Sequence, residues 1–260
     1  MSDYRGRYVW FELLTRDPEK AKAFYSRVVG WTPEAFPGPN DYTLWKNGAG
    51  SVGGLMEMPK EPAAAGVPPH WLAYIGTPDV DKTTAEARKA GAAVHVPPTD
   101  IPTVGRFSVL GGPGGLVFAA FTPAPGGPDR PQGPAAIGDC SWYEVVADDV
   151  DKTWSLMNGL FGWDKKGEAH DMGAMGFYQE YGTPGVAQPM GGIFKKPAGM
   201  PAPAHIQLYF RVEDVARAAE VVKANGGQVL NGPMEVPGGD FIVNCLDDQG
   251  AAFSLHHSNK

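Results

Sequence analysis

Alternating and helical hydrophobic patterns take turns along this chain, and the cycle runs four times. Residues 9–15 alternate in the manner of a strand, one face apolar and the other mixed. Asp17 then offers an N-cap with Pro18 in the first turn, and Ala21, Phe24, Tyr25 and Val28 form an i, i+3, i+4, i+7 stripe that predicts a helix ended by Gly30. Shorter apolar stretches follow at 43–46 and 51–58. The cycle restarts with a strand over 70–76 and a helix from Asp79 to about Ala90, closed by Gly91. Strands over 106–110 and 116–121 complete it. The second half repeats the sequence of events. Asp149 opens a helix striped by Thr153, Leu156, Met157 and Leu160 and ended by Gly162. A second helix runs from Asp214 to about Asn225, closed by Gly226, with strands over 241–246 and 251–257 after it.

The two halves match residue by residue. Trp10-Phe11-Glu12 returns as Trp142-Tyr143-Glu144, Asp17 as Asp149 and Gly30-Trp31 as Gly162-Trp163, at a shift of 132 (142 − 10). His70 returns as His205, Asp79-Val80 as Asp214-Val215, Gly91 as Gly226 and Phe118 as Phe253, at a shift of 135 (205 − 70). Between the copies, residues 122–134 are rich in Pro and Gly, which removes amide donors and helical periodicity and marks a linker. The expected organisation is α+β, with domains over 1–123 and 138–260, a linker over 124–137, and two βαβββ modules in each domain. Gly111-Gly-Pro-Gly-Gly115 lies between two strands with no helix after it, so a hairpin turn is expected there and not a phosphate loop.

Composition narrows the function. A chain of 260 residues exceeds one ordinary domain, and 43% hydrophobic residues suit globular cores. A net charge of −7 with no basic run argues against nucleic acid, since such binders need clustered Lys and Arg. Cys140 and Cys245 lie beside or within apolar runs and form no CxxC pair, so two buried thiols are expected. No signal-like N-terminus and no apolar run of about 18 residues is present, which gives the expectation of a cytoplasmic protein without membrane contact.

Strand parity then selects a second face, opposite the helices. It carries Trp10, Glu12 and Leu14, then His70, Leu72 and Tyr74, and in the other half Trp142, Glu144 and Val146, then His205, Gln207, Tyr209 and Arg211. Aromatic walls with a few polar groups are the composition of a small-molecule pocket. Glu12 and Glu144 serve either as functional carboxylates there or as structural ones held by backbone amides or an arginine.

These residues resemble the vicinal oxygen chelate superfamily, which includes glyoxalase I, extradiol dioxygenases and bleomycin-resistance proteins. The resemblance spans nearly the whole chain and rests on Trp-Phe-Glu-Leu-Leu-Thr-Arg-Asp from Trp10, Ala-Lys-Ala-Phe-Tyr from Ala21, Val-Val-Gly-Trp ending at Trp31, Pro69-His70-Trp71, and Ile-Pro-Thr-Val-Gly-Arg-Phe ending at Phe107. The last stretch is similar to tandem actinobacterial proteins of glyoxalase type. The resemblance implies paired βαβββ modules curled into an open cup, and divalent-metal ligands on inward strand positions. Carried over, those positions fall on Trp10 and Trp142, on His70 and His205, on Ala119 and Ser254, and near 52–56 or 191–194. Only the two histidines match, so no metal or other cofactor is expected as a resident group. A relocated centre using Glu12 with His70, or Glu144 with His205 and His256, is the one arrangement left to a metal.

The expected function is therefore binding of a small molecule in the bleomycin-resistance manner, with Trp10, Tyr74, Trp142, Gln207, Tyr209, Arg211 and His256 as ligand contacts. The alternative is a lyase or isomerase of the glyoxalase kind, metal-dependent or metal-free, with Glu12, His70, Glu144 and His205 as the catalytic groups. The second half carries Gln207, Arg211, Ser254 and His256 where the first has Leu72, Gly76, Ala119 and Phe121, so a polar ligand group is expected there. Partners are limited to that small molecule and, at most, a second copy of the chain in a homodimer.

Overall fold

A computed structural model describes residues 4–37, 41–125, 135–173 and 176–259. The first half runs β1 (Tyr8–Thr15), α1 (Pro18–Val28), β2 (Thr32–Ala35), β3 (Thr43–Asn47), β4 (Gly50–Glu57), α2 (Lys60–Ala64), β5 (His70–Gly76), α3 (Val80–Lys89), β6 (Ala93–Ile101), β7 (Gly105–Gly111) and β8 (Val117–Pro123). The second runs β9 (Cys140–Ala147), α4 (Val150–Phe161), β10 (Asp164–Asp171), β11 (Phe177–Gly182), β12 (Gly191–Lys195), β13 (His205–Arg211), α5 (Val215–Ala224), β14 (Gln228–Glu235), β15 (Phe241–Leu246) and β16 (Ala252–His257). Each half contributes an eight-stranded mixed sheet, ordered β2-β3-β4-β1-β5-β8-β7-β6 and β10-β11-β12-β9-β13-β16-β15-β14. The α+β reading and the four βαβββ modules stand.

One capping device starts each of the four module helices. Asp17, Asp79, Asp149 and Asp214 hold extended backbone and accept amide bonds from Lys20, Lys82, Lys152 and Ala216 with Arg217, at 2.8–3.1 Å. Residues 113–115 form a single 3₁₀ turn between β7 and β8, in keeping with the hairpin expectation. Three longer strands, β6, β10 and β14, fall outside the sequence expectation. They lie at sheet edges; β6 and β14 largely alternate half-buried with exposed positions, whereas β10 is exposed at nearly every position, with Pro97-Pro98 inside β6 and charged residues along β10. The proposed linker falls largely on 126–134, outside the described residues.

By packing, the chain divides into two compact units that interleave the halves: Met1–Val9, Leu72–Gln132 and Tyr143–Ile206 in one, Trp10–Trp71, Gly133–Trp142 and Gln207–Lys260 in the other. The core of the first unit holds Phe118 against Phe161, Trp163 stacked on Tyr181 with centroids 4.4 Å apart, and Tyr8 stacked on Tyr143 at 3.8 Å. That of the second gathers Phe11, Tyr25, Trp31, Trp71, Phe210 and Phe253, each at most 7% exposed. Two repeat-related bonds set this exchange. Trp31 Nε1 donates to the Gly138 carbonyl and Trp163 Nε1 to the Gly6 carbonyl, both at 2.7 Å. Each half's tryptophan thus binds the glycine that leads into the other half's first strand. Gly6 has φ +77°, and a Cβ there would come within 2.7 Å of the Phe161 carbonyl oxygen, so only glycine fits.

Candidate functional site

The carboxylates and tryptophans selected by strand parity meet a residue that parity did not select. In the second unit Glu12, 6% exposed, is the register partner of Gly54 on the parallel strand β4. Tyr42, just before β3, lays its ring over Gly54, where an added Cβ would stand 1.8 Å from the phenol oxygen. The phenol hydrogen-bonds Glu12 and accepts from Trp10 Nε1 at 3.0 Å. Burial first, and the Glu12 charge second, push the Tyr42 pKa far above the usual phenol range, so the phenol keeps its proton and donates it to the carboxylate.

The first unit repeats the arrangement. Glu144 pairs in register with Gly192 on β12, and Tyr178 of β11 donates to Glu144 Oε1 at 2.9 Å. A Cβ at Gly192 would stand 2.0 Å from the Tyr178 ring. Glu144 is half-buried where Glu12 is buried. Tyr42 and Tyr178 were legible only as a repeated pairing of a tyrosine with a later Gly-Gly step, 53–54 and 191–192.

The histidines are held differently. His70 Nδ1 lies 2.9 Å from the Pro68 carbonyl and His205 Nδ1 2.9 Å from that of Pro203. A carbonyl only accepts, so in both rings Nδ1 carries the proton and Nε2 keeps its lone pair in the neutral form. Burial lowers the His70 pKa and favours that neutral form. Glu12 is thus tied to Tyr42, and His70 to its own strand entry.

The remaining candidates fall into two groups. Tyr74, 5% exposed, lies beside Phe107 and Phe121 in an aromatic cluster of the first unit. Trp142, half-buried, begins the Trp-Tyr-Glu run of β9. In the second unit Gln207 Nε2 donates to Ser254 Oγ, which donates to Asn244 Oδ1, both at 2.9 Å. His256 uses both nitrogens: Nδ1 meets Ser141 Oγ at 2.8 Å and Nε2 meets Asp240 Oδ2 at 3.2 Å. Ser141 Oγ also lies 3.2 Å from the carbonyl of Tyr209, which is 3% exposed, and Arg211 Nη1 donates to the Ala135 carbonyl.

A divalent metal does not fit the inherited positions. The Trp10 indole is an N–H donor already spent on Tyr42, Ala119 offers no ligand atom, and the Ser254 hydroxyl is held between Gln207 and Asn244. Among the described residues no three His, Cys, Asp or Glu side chains are grouped as a metal site requires. The thiols correct the sequence expectation in part. Cys245 is buried and its pKa is pushed up to about 12 by that burial, whereas Cys140 is only half-buried with Sγ 3.6 Å from the Trp142 carbonyl. No helix among the described residues is long and apolar enough to cross a membrane.

Comparison with known proteins agrees with this architecture. CFP32 of Mycobacterium tuberculosis, whose name assigns it provisionally to the glyoxylases, is 46% identical over 123 residues, covering 46% of this chain and 45% of its own length. The chain therefore matches about half the length of that relative. The anthracycline biosynthesis protein DauV of Streptomyces sp. is 27% identical over 96% of this chain and 92% of its own. Among solved structures, the 2,3-dioxygenase LapB from Pseudomonas sp. KL28 superposes with a TM-score of 0.66 at 14% identity, over 99% of this chain and 94% of that one. The Mn(II)-bound glyoxalase from Novosphingobium aromaticivorans gives 0.64 at 17% identity, over 99% and 83%. Residues 7–120 and 140–255 both match one family description, and the chain belongs to the Glyoxalase/Bleomycin resistance protein/Dioxygenase superfamily.

Proposed function

We propose that the protein binds a planar aromatic small molecule, with one binding position in each repeat built on the Trp-x-Glu strand. The observation that carries this reading is the duplicated Glu–Tyr–Gly arrangement: Glu12 with Tyr42 over Gly54, and Glu144 with Tyr178 over Gly192. A tyrosine needed only as apolar filling has no reason to be aimed twice at a strand carboxylate and seated on a glycine. The tryptophan two residues before the carboxylate supplies a flat apolar surface at low entropic cost. Relatives named for anthracycline biosynthesis, which align with nearly the whole chain, favour an aromatic ligand of several fused rings.

Titrating a hydroxyanthraquinone against the intrinsic tryptophan fluorescence tests the reading. Saturable quenching at micromolar concentration is expected, weakened about tenfold or more in Trp10→Ala combined with Trp142→Ala; equal quenching in that variant overturns it. A second reading, a metal-free lyase or isomerase, is favoured by the Glu12 carboxyl group that the Tyr42 phenol holds in a fixed position, where it would serve as the general base. Unchanged turnover of an identified substrate after Glu12→Gln with Glu144→Gln overturns that reading.

A further inference from the structure

The internal repeat supplies its own control, because each position of one half has a counterpart with a known register in the other. In the second half Ser254 pairs with Tyr209 and with Asn244; in the first, Ala119 pairs with Tyr74 and with Val109. Gln207, Ser254 and Asn244 therefore stand where the other copy has Leu72, Ala119 and Val109. Three apolar positions on three neighbouring strands have become one hydrogen-bonded line, Gln207 to Ser254 to Asn244, with Ser254 fully buried and Gln207 7% exposed. The first half shows that apolar side chains fill these positions well. Burying polar groups there instead is costly unless they are bonded, and a bonded line is rigid.

The same replacement extends to the next rung. His256, paired in register with Arg211, stands where Phe121 pairs with Gly76. Its partners Ser141 and Asp240 replace Val9 and Gly105.

We propose that this face of β13, β16 and β15 is a ligand subsite of the second repeat alone, taking the polar edge of a small planar molecule that carries both a hydrogen-bond donor and an acceptor, such as a hydroxyl and a carbonyl. The line determines this chemistry by its ends. As drawn, Gln207 Oε1 is a free acceptor and Asn244 Nδ2 a free donor, with no partner among the described residues, and neither is a sealed orphan. If both amides are reversed, the direction of every bond reverses, and the ends still present one donor and one acceptor. The first repeat offers only Leu72, Ala119 and Val109 at these places and takes an apolar edge. The two repeats are thus unequal in specificity. This inference rests on the aromatic-binding reading above only in taking the ligand to be planar; Gln207, Ser254 and Asn244 all lie within the second unit.

The test compares 4-hydroxy-2-quinolone, which carries a hydroxyl and a carbonyl on one edge, with 2-naphthol, which carries a single hydroxyl. Calorimetric titration of the full chain is set beside that of the triple variant Gln207→Leu, Ser254→Ala, Asn244→Val, which installs the first-half residues. At one of two sites the wild type should prefer the quinolone by about tenfold, the scale of one or two net hydrogen bonds. In the triple variant that preference should fall to near unity. An unchanged preference overturns the inference and leaves aromatic binding standing. Failure of the wild type to bind either probe overturns both. Should the triple variant not fold, Asn244→Val alone, at a half-buried position, decides: a preference reduced about threefold or more supports the subsite, and an unreduced one overturns it.

Discussion

Adding one methyl group at Gly54 tests the Glu–Tyr–Gly arrangement at its tightest point. The Cβ of Gly54→Ala would stand 1.8 Å from the Tyr42 oxygen and 2.4 Å from Cζ, so the ring must leave its seat. Glu12, 6% exposed, then loses its phenol donor. A hydrogen bond to a charged group contributes about 1.5–3 kcal/mol, so Gly54→Ala should cost at least that much, with a steric term added. Tyr42→Phe loses the same bond without the clash. The double variant loses the bond only once, so the sum of the single costs should exceed the double cost by about 1.5–3 kcal/mol. Denaturant unfolding of the four proteins measures this. Costs that add to within about 0.5 kcal/mol would refute the claim that Gly54 exists to seat Tyr42 against Glu12. Gly192→Ala with Tyr178→Phe should show the same coupling at smaller size, because Glu144 is half-buried and water compensates part of the loss.

Other predictions concern stability and reactivity. Gly6→Ala should cost about 2–4 kcal/mol by thermal unfolding, since a left-handed backbone and a 2.7 Å contact with the Phe161 carbonyl both oppose a Cβ; a cost below about 1 kcal/mol would contradict the reciprocal Trp–Gly anchoring. The His70 pKa is lowered on folding, so the unfolded chain binds more protons just below the ordinary value of 6.5 and stability should fall as pH drops through that window; His70→Gln should remove this part of the slope. Burial raises the Asp247 pKa, so the folded chain binds more protons above 3.8 and stability should fall as pH rises from there; Asp247→Asn should flatten that limb, and an unaltered slope would contradict the assignment. A thiol reagent at pH 8 should modify Cys140 in the native chain and spare Cys245, whose burial holds the thiolate off until about pH 12; mass spectrometry showing rapid labelling at Cys245 would contradict this.

The helices and central strands were legible because local chemistry marks them: an Asp cap, an apolar stripe and a closing glycine recur four times. Edge strands β6, β10 and β14 were not, since a strand paired along one side tolerates Pro97-Pro98 and runs of charge that obscure alternation. A repeat reveals which residues are equivalent but not which copies pack together, so the interleaved cores, joined by Trp31 to Gly138 and Trp163 to Gly6, could not be read from spacing. The candidate site was legible by half. Strand parity selects Trp10, Glu12, Trp142 and Glu144, whereas Tyr42 and Tyr178 reach the carboxylates, Asn244 the polar line and Asp240 the imidazole of His256 from neighbouring strands and turns, where only register brings them close.

Indole N–H chemical shifts test ligand binding most directly, because the seven tryptophans report separately. On titration with a hydroxyanthraquinone, the resonances of Trp10 and Trp142 should shift and saturate, while those of Trp31, Trp45, Trp71 and Trp163, each at most 7% exposed, stay in place. Shifts confined to Trp154, on helix α4, or no saturable shift at Trp10 and Trp142, would contradict the account.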